Sequence, residues 1–131
     1  MTDRILIVED DDAIATGLAL NLKLAGHATM IARDGIDALS LTEAEDFALI
    51  LLDINLPRLS GLEVLTELKS DRDLLTIPVV ILTTSGAQED ILRSYQLHAS
   101  AYVTKPTGFD LFIDAIRKAG NFYLALARLP H

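Results

Sequence analysis

Five short apolar runs recur along the chain, and each is followed by a longer stretch that mixes apolar and polar residues. The runs are Arg4–Val8, Ala28–Ala32, Phe47–Leu52, Pro78–Leu82 and Ala101–Thr104. Each run has the length of a buried strand and is too short for a helix of ordinary length. The pattern therefore predicts five strands, of which the third is the most apolar.

The stretches between the runs predict helices. These predicted helices are Asp12–Leu24, Ile36–Ala44, Leu62–Ser70, Gln88–Leu97 and Phe109–Ala119. In the first, Ile14, Leu18 and Leu22 recur four residues apart and would share one face of a helix. Gly26 follows as a residue that commonly ends helices.

Apolar strands that alternate with helices predict a doubly wound α/β fold, in which a parallel sheet is covered on both faces. Right-handed crossovers limit the topology of such sheets, and five units favour the flavodoxin-like strand order 2-1-3-4-5. Ligands bind these sheets at the carboxyl ends of the strands, near the switch point between strands 1 and 3. Candidate chemistry is therefore to be sought at that edge.

Composition narrows the function classes without changing this picture. The chain has 131 residues, half of them apolar, which suits one domain with a proper core. It has no apolar window of the ~18–20 residues that a membrane helix needs, and its acidic start is unlike a secretory signal. The absence of cysteine excludes a disulfide framework and fits a cytoplasmic protein. A net charge of -8 without a basic stripe disfavours nucleic-acid binding.

Polar and charged residues follow four of the predicted strands. They are Glu9, Asp10, Asp11, Asp12, Asp53, Asn55, Thr83, Thr84, Ser85 and Lys105. Clustered carboxylates repel one another unless a cation intervenes, and Mg²⁺ suits such a site because it takes oxygen ligands and keeps several waters. With Lys105 as a positive charge and Asp53 as a nucleophile, the edge could accept a phosphoryl group.

Four motifs carry a family resemblance: ILIVEDD, LLDINLPRLSGLEVL, PVVILTT and AYVTKP. In this order and spacing, the chain resembles the CheY-like receiver domains of bacterial two-component response regulators from about Arg4 to Ala119. The resemblance implies a receiver domain over residues 1–120, with 121–131 as a C-terminal amphipathic extension and no output domain. It implies a phosphoryl group taken from a histidine kinase, and a signal passed to a partner protein or a histidine phosphotransfer protein, rather than turnover of a substrate.

The resemblance also implies a role for each matching residue. Asp53 would be the phosphoacceptor, and Mg²⁺ would be held by Asp53, by Asp10, by Glu9 through water and by the backbone carbonyl of Asn55. The residues that would contact the phosphoryl group or respond to it are Thr83, Thr84, Lys105 and the aromatic switch residue Tyr102. The bond between Lys105 and Pro106 matches the cis peptide of the family.

A closer likeness appears in NLPRLSGLEVL, DLLTIPVVILTTS, SYQLHASAY and NFYLALARLP. These segments look like the single-domain regulators of phytochrome-type, light-sensing histidine kinases. In the last segment, Phe122, Leu126 and Leu129 are spaced as one apolar face of a helix. That face could fold back on its own domain or form a homodimer contact, and the dimer is the favoured interpretation.

Plainer interpretations and rival functions remain beside this one. Asp11 or Asp12 would cap the first helix, Tyr102 could be an ordinary strand aromatic, and the scattered His27, His98 and His131 suggest surface or structural positions.

A receiver that binds partners without phosphorylation is the main alternative function. A phosphatase of the haloacid-dehalogenase kind would want a second Asp where Asn55 stands, and a flavin-binding domain would not place acids in its phosphate loop.

Overall fold

The structure, a computed structural model, describes residues 4–83, 99–104, 113–118 and 120–122, with only the backbone for 83 and 101–104. Its elements are β1 Ile5–Val8, α1 Asp12–Leu24, β2 Thr29–Ala32, α2 Gly35–Ala44, β3 Leu49–Asp53, α3 Gly61–Ser70, β4 Val79–Thr83 and β5 Ala101–Thr104. Residues 113–118 and 120–122 are also helical and are called the C-terminal helix below.

The five strands form one parallel sheet in the order β2-β1-β3-β4-β5. β1 lies between β2 and β3, with Val8 opposite Ala32 on one side and Leu52 on the other. The doubly wound α/β fold and the strand order predicted from the sequence are therefore confirmed. The chain reverses direction across the sheet between β1 and β3, which places the expected ligand edge at the ends of these two strands.

The core lies on both faces of the sheet. Alternate residues of β1 point to opposite faces, so Ile5 and Ile7 pack with α1 and the C-terminal helix while Leu6 and Val8 pack with α2 and α3. All four β1 side chains are fully buried. Burial on both faces explains why the central strands read as continuous apolar runs instead of alternating with polar residues.

Helix starts are set by capping side chains. The Asp11 carboxylate accepts a hydrogen bond from the Ile14 amide at 3.0 Å and caps α1, as predicted. Asp34 caps α2 through the Asp37 amide at 2.8 Å, so the helix begins at Gly35, one residue before the predicted start. Ser60 caps α3 with a capping box, and the helix begins at Gly61, one residue earlier than predicted.

The central strands extend further toward the ligand edge than the apolar runs predicted. β3 ends at Asp53, which is paired with Leu82, and β4 ends at Thr83, which is paired with Thr104. Backbone pairing continues past the last apolar side chain, because the ladder depends on the backbone and not on side-chain polarity. The predicted helix over 88–97 lies outside the described residues.

The C-terminal helix packs on α1 and continues past the predicted end at Ala119. Arg117 donates to the Asn21 side chain at 3.2 Å, and His27 is hydrogen-bonded to Asn121 at 2.8 Å. His27 is buried, so it has the structural role predicted for it. The predicted domain end at residue 120 thus falls within described helical residues, and the rest of the extension lies beyond them. Across the described part of the chain, the helices are all too short or too polar to span a membrane.

Candidate functional site

Three carboxylates meet at the carboxyl ends of β1 and β3. Glu9 follows β1 and is fully buried, Asp53 ends β3 and is 1 % exposed, and Asp10 is exposed at the rim. One carboxylate oxygen of each lies within 4.8 Å of the others. The pairing of β1 with β3 brings the residues together, although more than forty positions separate Asp10 from Asp53.

This donor set fits a small, hard divalent cation. Charged carboxylates held this close repel one another, and burial removes the water that would otherwise screen them. Oxygen ligands from one or two carboxylates, together with waters on an open side, are what Mg²⁺ takes in proteins. The exposed Asp10 marks the open side, from which both a cation and a phosphoryl donor could reach Asp53.

The loop after β3 is held close to Asp53 at both of its ends. The Asn55 amide donates to the Asp53 carboxylate at 3.3 Å, and the Gly61 amide donates to the Ile54 carbonyl at 2.8 Å. A Cβ atom added to Gly61 would lie 2.1 Å from the backbone oxygen of Asp53. Only glycine therefore lets α3 begin directly against the backbone of the candidate phosphoacceptor.

The same loop contains a tight turn that the sequence did not predict. The Leu59 amide donates to the Pro57 carbonyl at 2.8 Å, and the residue between them, Arg58, has a φ of 68°. A three-residue turn with positive φ is the rarer, strained kind, and for a residue with a side chain such a conformation costs on the order of 1–3 kcal/mol. The surrounding contacts must hold this turn in place.

Two arginines, one after β2 and one in the loop after β3, form ion pairs with acids of neighbouring elements. Arg58 lies 3.4 Å from the Asp34 carboxylate and 3.9 Å from that of Asp37, both in the first turn of α2 or at its cap. Arg33, which follows β2, forms an ion pair with Asp12 at the start of α1. Sequence reasoning missed both arginines, since nothing near them in the chain reveals their distant partners.

The remaining predicted site residues are only partly described. The backbone of Thr83 ends β4 beside β3, so Thr83 reaches the same edge of the sheet as Asp53. The backbone of Tyr102 lies in β5, opposite Ile81. Thr84, Lys105 and Pro106, as well as the side chains of Thr83 and Tyr102, lie outside the described residues, and their roles stay predictions.

A second acidic region, called the acidic groove here, lies at the opposite end of the sheet. It has a volume of about 620 Å³ and is lined by Thr42, Glu43, Glu45, Asp46, Phe47, Asp71, Asp73, Leu74 and Ile77. Arg4 pairs with Glu45 at 2.9 Å and lies 5.3 Å from the centre of the Phe47 ring. Phe47 and Ile77 precede β3 and β4, so the groove faces the amino ends of these strands.

The response regulator receiver domain family matches residues 5–117 of the chain. This match covers most of the sequence and all the described strands. The chain belongs to this family. It is therefore a response regulator receiver domain, in agreement with the resemblance carried by its four strand-end motifs.

Individual relatives resemble the chain over nearly its whole length. Response regulator Rcp1 of Synechocystis sp. is 37% identical, over 96% of this chain and 92% of Rcp1. The polar-differentiation response regulator DivK of Brucella ovis is 38% identical, over 89% of this chain and 95% of DivK. The similarity to Rcp1 therefore extends over nearly the full length of both chains.

Solved structures agree with the sequence relatives. The Mn²⁺-bound form of Rcp1 superposes with a TM-score of 0.87 at 36% identity, over 98% of this chain and 99% of Rcp1. The phosphorylated cyanobacterial phytochrome response regulator RcpA gives a TM-score of 0.85 at 35% identity, over 100% of both chains. The chain is thus similar in sequence and fold to a cyanobacterial phytochrome response regulator.

Proposed function

We propose that the chain is a phosphoacceptor switch in which Asp53 receives a phosphoryl group from a histidine kinase. The observation that carries this proposal is the meeting of Glu9, Asp10 and Asp53 within 4.8 Å at the carboxyl ends of β1 and β3. Membership of the receiver family supports it, because response regulators work with histidine kinases as partners. The phosphorylated state of the relative RcpA supports it further.

Mg²⁺ is the proposed cofactor. Asp10 and Asp53 would be direct ligands, Glu9 would act through water, and Asn55 would offer its backbone carbonyl. Bound Mg²⁺ would offset the negative charge of the carboxylates and of the incoming phosphoryl oxygens. The Mn²⁺ held by the relative Rcp1 supports a divalent ion of this kind.

In the proposed transfer, a carboxylate oxygen of Asp53 attacks the phosphorus of the donor phosphohistidine. The P–N bond breaks, its electron pair stays on the imidazole nitrogen, and that nitrogen takes a proton from solvent. Burial of Asp53 restricts the rotation of its side chain, which lowers the entropy cost of holding a carboxylate oxygen in line with the phosphorus. The Thr83 hydroxyl and the Lys105 ammonium would contact phosphoryl oxygens, with Thr84 beside them.

Phosphorylation would then shift the domain between two states. Thr83 would turn toward the phosphoryl group and Tyr102 would move inward, and the proposed cis bond before Pro106 would hold Lys105 at the site. The face that changes would be the one formed by the predicted helix over 88–97, β5 and the C-terminal helix. Such a change is a population shift, driven by contacts that the phosphoryl group makes in only one state.

The proposed partner is a phytochrome-type histidine kinase, which similarity to the phytochrome response regulator RcpA supports. A histidine phosphotransfer protein would be a second partner. The receiver would occupy residues 1–120 of a cytoplasmic protein, and residues 121–131 would form a homodimer contact. Phe122, the one described member of the apolar stripe, is 58% exposed, as such a contact requires. The domain would assist its own phosphorylation and dephosphorylation without turning over another substrate.

The test is phosphorylation by acetyl phosphate, followed by intact mass with and without Mg²⁺. We expect one phosphoryl adduct on the wild type with Mg²⁺ and none on Asp53→Asn. The matched control is Asp46→Asn, which removes an equal charge from the acidic groove at the other end of the sheet and should leave the adduct unchanged. A folded wild type that gains no adduct would contradict the proposal and favour a receiver that binds partners without phosphorylation.

A further inference from the structure

Arg58 stands out among the described residues because it combines an unfavourable backbone conformation with long-range ion pairs. Its φ is 68°, in the left-handed region that residues with a Cβ rarely adopt. Its side chain is 57% exposed, so burial in a core does not explain why the turn is kept. The explanation has to come from what the turn contacts on either side.

On one side, the turn is connected through the backbone to the candidate metal site formed by Glu9, Asp10 and Asp53. The turn 57–59 is part of the connection that carries the Asn55 amide to Asp53 and returns Gly61 against the Asp53 backbone. The connection between these two fixed points is only five residues long. A change in the shape of the turn is therefore transmitted to the Asn55 backbone, which is a proposed Mg²⁺ ligand, and to the orientation of the Asp53 carboxylate.

The other side of the turn is anchored on α2. The Arg58 guanidinium lies 3.4 Å from the carboxylate of Asp34, whose side chain is only 13% exposed and also caps the helix. A Cβ added to Gly35 would lie 2.3 Å from the Leu59 carbonyl oxygen, so the backbones of α2 and the turn are in close contact. The capping bond restricts the Asp34 side chain, so Arg58 pairs with a carboxylate that is held in a defined position.

We propose that Arg58 is a positioning residue for the metal site: its ion pairs to Asp34 and Asp37 hold the turn after β3 in the shape that presents Asn55 and Asp53 to Mg²⁺. This inference rests on the proposed function, since it assumes that these residues bind Mg²⁺. It assigns to an arginine outside the ligand set the task of keeping the loop ready before the metal arrives. Partners that orient ligands commonly change metal affinity by 10-fold or more when they are removed.

The sign of the effect separates positioning from simple electrostatics. Arg58 carries a positive charge near a cation site, so its removal should strengthen Mg²⁺ binding if charge alone mattered. Loss of positioning should instead weaken Mg²⁺ binding. The two explanations predict changes in opposite directions, and a measured dissociation constant decides between them.

The experiment is calorimetric titration of the unphosphorylated protein with Mg²⁺, at a temperature where melting curves show each variant to be folded. For Arg58→Ala we expect the dissociation constant to rise roughly tenfold. The control Arg72→Ala removes an equal charge from an exposed position in the connection after α3 and should change it less than about twofold. An unchanged or tighter constant for Arg58→Ala would overturn the inference.

Two further variants identify the contact responsible. Arg58→Gly removes the guanidinium but relaxes the positive φ, and it should weaken Mg²⁺ binding as Arg58→Ala does. Wild-type affinity in Arg58→Gly would assign the effect to backbone strain in the alanine variant and overturn the role of the ion pairs. Asp34→Ser removes the carboxylate but keeps a capping side chain. In that variant, a further Arg58→Ala change should alter the Mg²⁺ dissociation constant much less than it does in the wild type. An equal effect there would also overturn the inference.

The outcome for the wild type keeps this inference separate from the proposed function. If the wild type binds no Mg²⁺, the proposed metal site itself fails, whatever Arg58 does. If the wild type binds Mg²⁺ and gains the phosphoryl adduct while Arg58→Ala matches it in affinity, only the positioning role fails.

Discussion

The candidate metal site, formed by Glu9, Asp10 and Asp53, and the acidic groove are two clusters of carboxylates at opposite ends of the same sheet. At the metal site, two of the three acids, Glu9 and Asp53, are almost completely buried. In the groove, none of the five acids is buried, and Glu45 is already paired with Arg4. The two regions have the same chemical groups but differ in their contact with water.

Burial is what turns acidic residues into a candidate cation site. Exposed carboxylates are hydrated and screened by salt, so their mutual repulsion is small and they need no ion. Buried carboxylates cannot separate or hydrate, and a bound cation then relieves a repulsion that the fold enforces. A count of acids along the sequence does not distinguish these cases, whereas the position of each acid relative to the sheet does.

Among the changes that test this comparison, Gly61→Ala is expected to have the largest effect on stability and phosphorylation. The new methyl group would meet the Asp53 backbone oxygen at 2.1 Å, so β3 or α3 must shift. Overpacking of this kind costs about 3 kcal/mol, and displacement of Asp53 should also slow phosphorylation by acetyl phosphate. Urea unfolding and intact mass measure the two effects.

The matched control is Gly120→Ala, at the same end of the sheet as the acidic groove. There the added methyl would meet Leu22 and Ile5 side chains at 3.4 and 3.6 Å, which are ordinary contacts. Because alanine also favours the helix, the free energy of unfolding should change by less than about 1 kcal/mol, in the stabilising direction. Equal losses at Gly61 and Gly120 would contradict the special close approach at the metal site.

Removal of Mg²⁺ should give the next largest effect. At a concentration ten times its dissociation constant, Mg²⁺ should raise the free energy of unfolding by about 1.4 kcal/mol through binding to the folded state, and a chelator should reverse this. Asp73→Asn in the groove should retain the Mg²⁺ effect, while Asp53→Asn should lose most of it. A gain that persists in Asp53→Asn but disappears in Asp73→Asn would place the cation in the groove.

The smallest effect is expected at Lys69, beside the groove. Its ammonium donates to the carbonyls of Leu75 and Ile77 at 3.0 and 2.8 Å, and Lys69→Met should lower the free energy of unfolding by about 1 kcal/mol at neutral pH. Phosphorylation of Asp53 should be unchanged, because the contact lies at the other end of the sheet. A phosphorylation defect in Lys69→Met would show that the two ends are coupled.

Lys69 also gives this prediction a pH dependence. Burial lowers the pKa of Lys69 below its usual value of 10.5. Between the lowered pKa and 10.5, the unfolded chain binds more protons than the folded protein, so the stability of the wild type rises with pH there. The stability difference between wild type and Lys69→Met should therefore grow as pH rises through this window, as measured by urea unfolding. A difference that shrinks would contradict the burial of the ammonium.

Much of the fold and the acidic part of the site could be predicted from the sequence. α1 and β5 have the predicted bounds, and Glu9, Asp10 and Asp53 meet as expected. Strand ends were less certain because side-chain polarity changes before the backbone ladder stops, as at Asp53 and Thr83. Arg58 was missed because its left-handed φ and its partners in α2 have no local signal: neither glycine nor asparagine marks the turn.

The sequence by itself determined which residues prefer the interior and where polar residues follow them. This information is local, and together with the rules for parallel sheets it was enough for the strand order and the ligand edge. Only the tertiary structure decided which acids lose their water, which glycine lies against Asp53 and which helix anchors the turn at Arg58. Those properties depend on distances between residues far apart in the chain, and such distances exist only after the sheet and its helices have packed together.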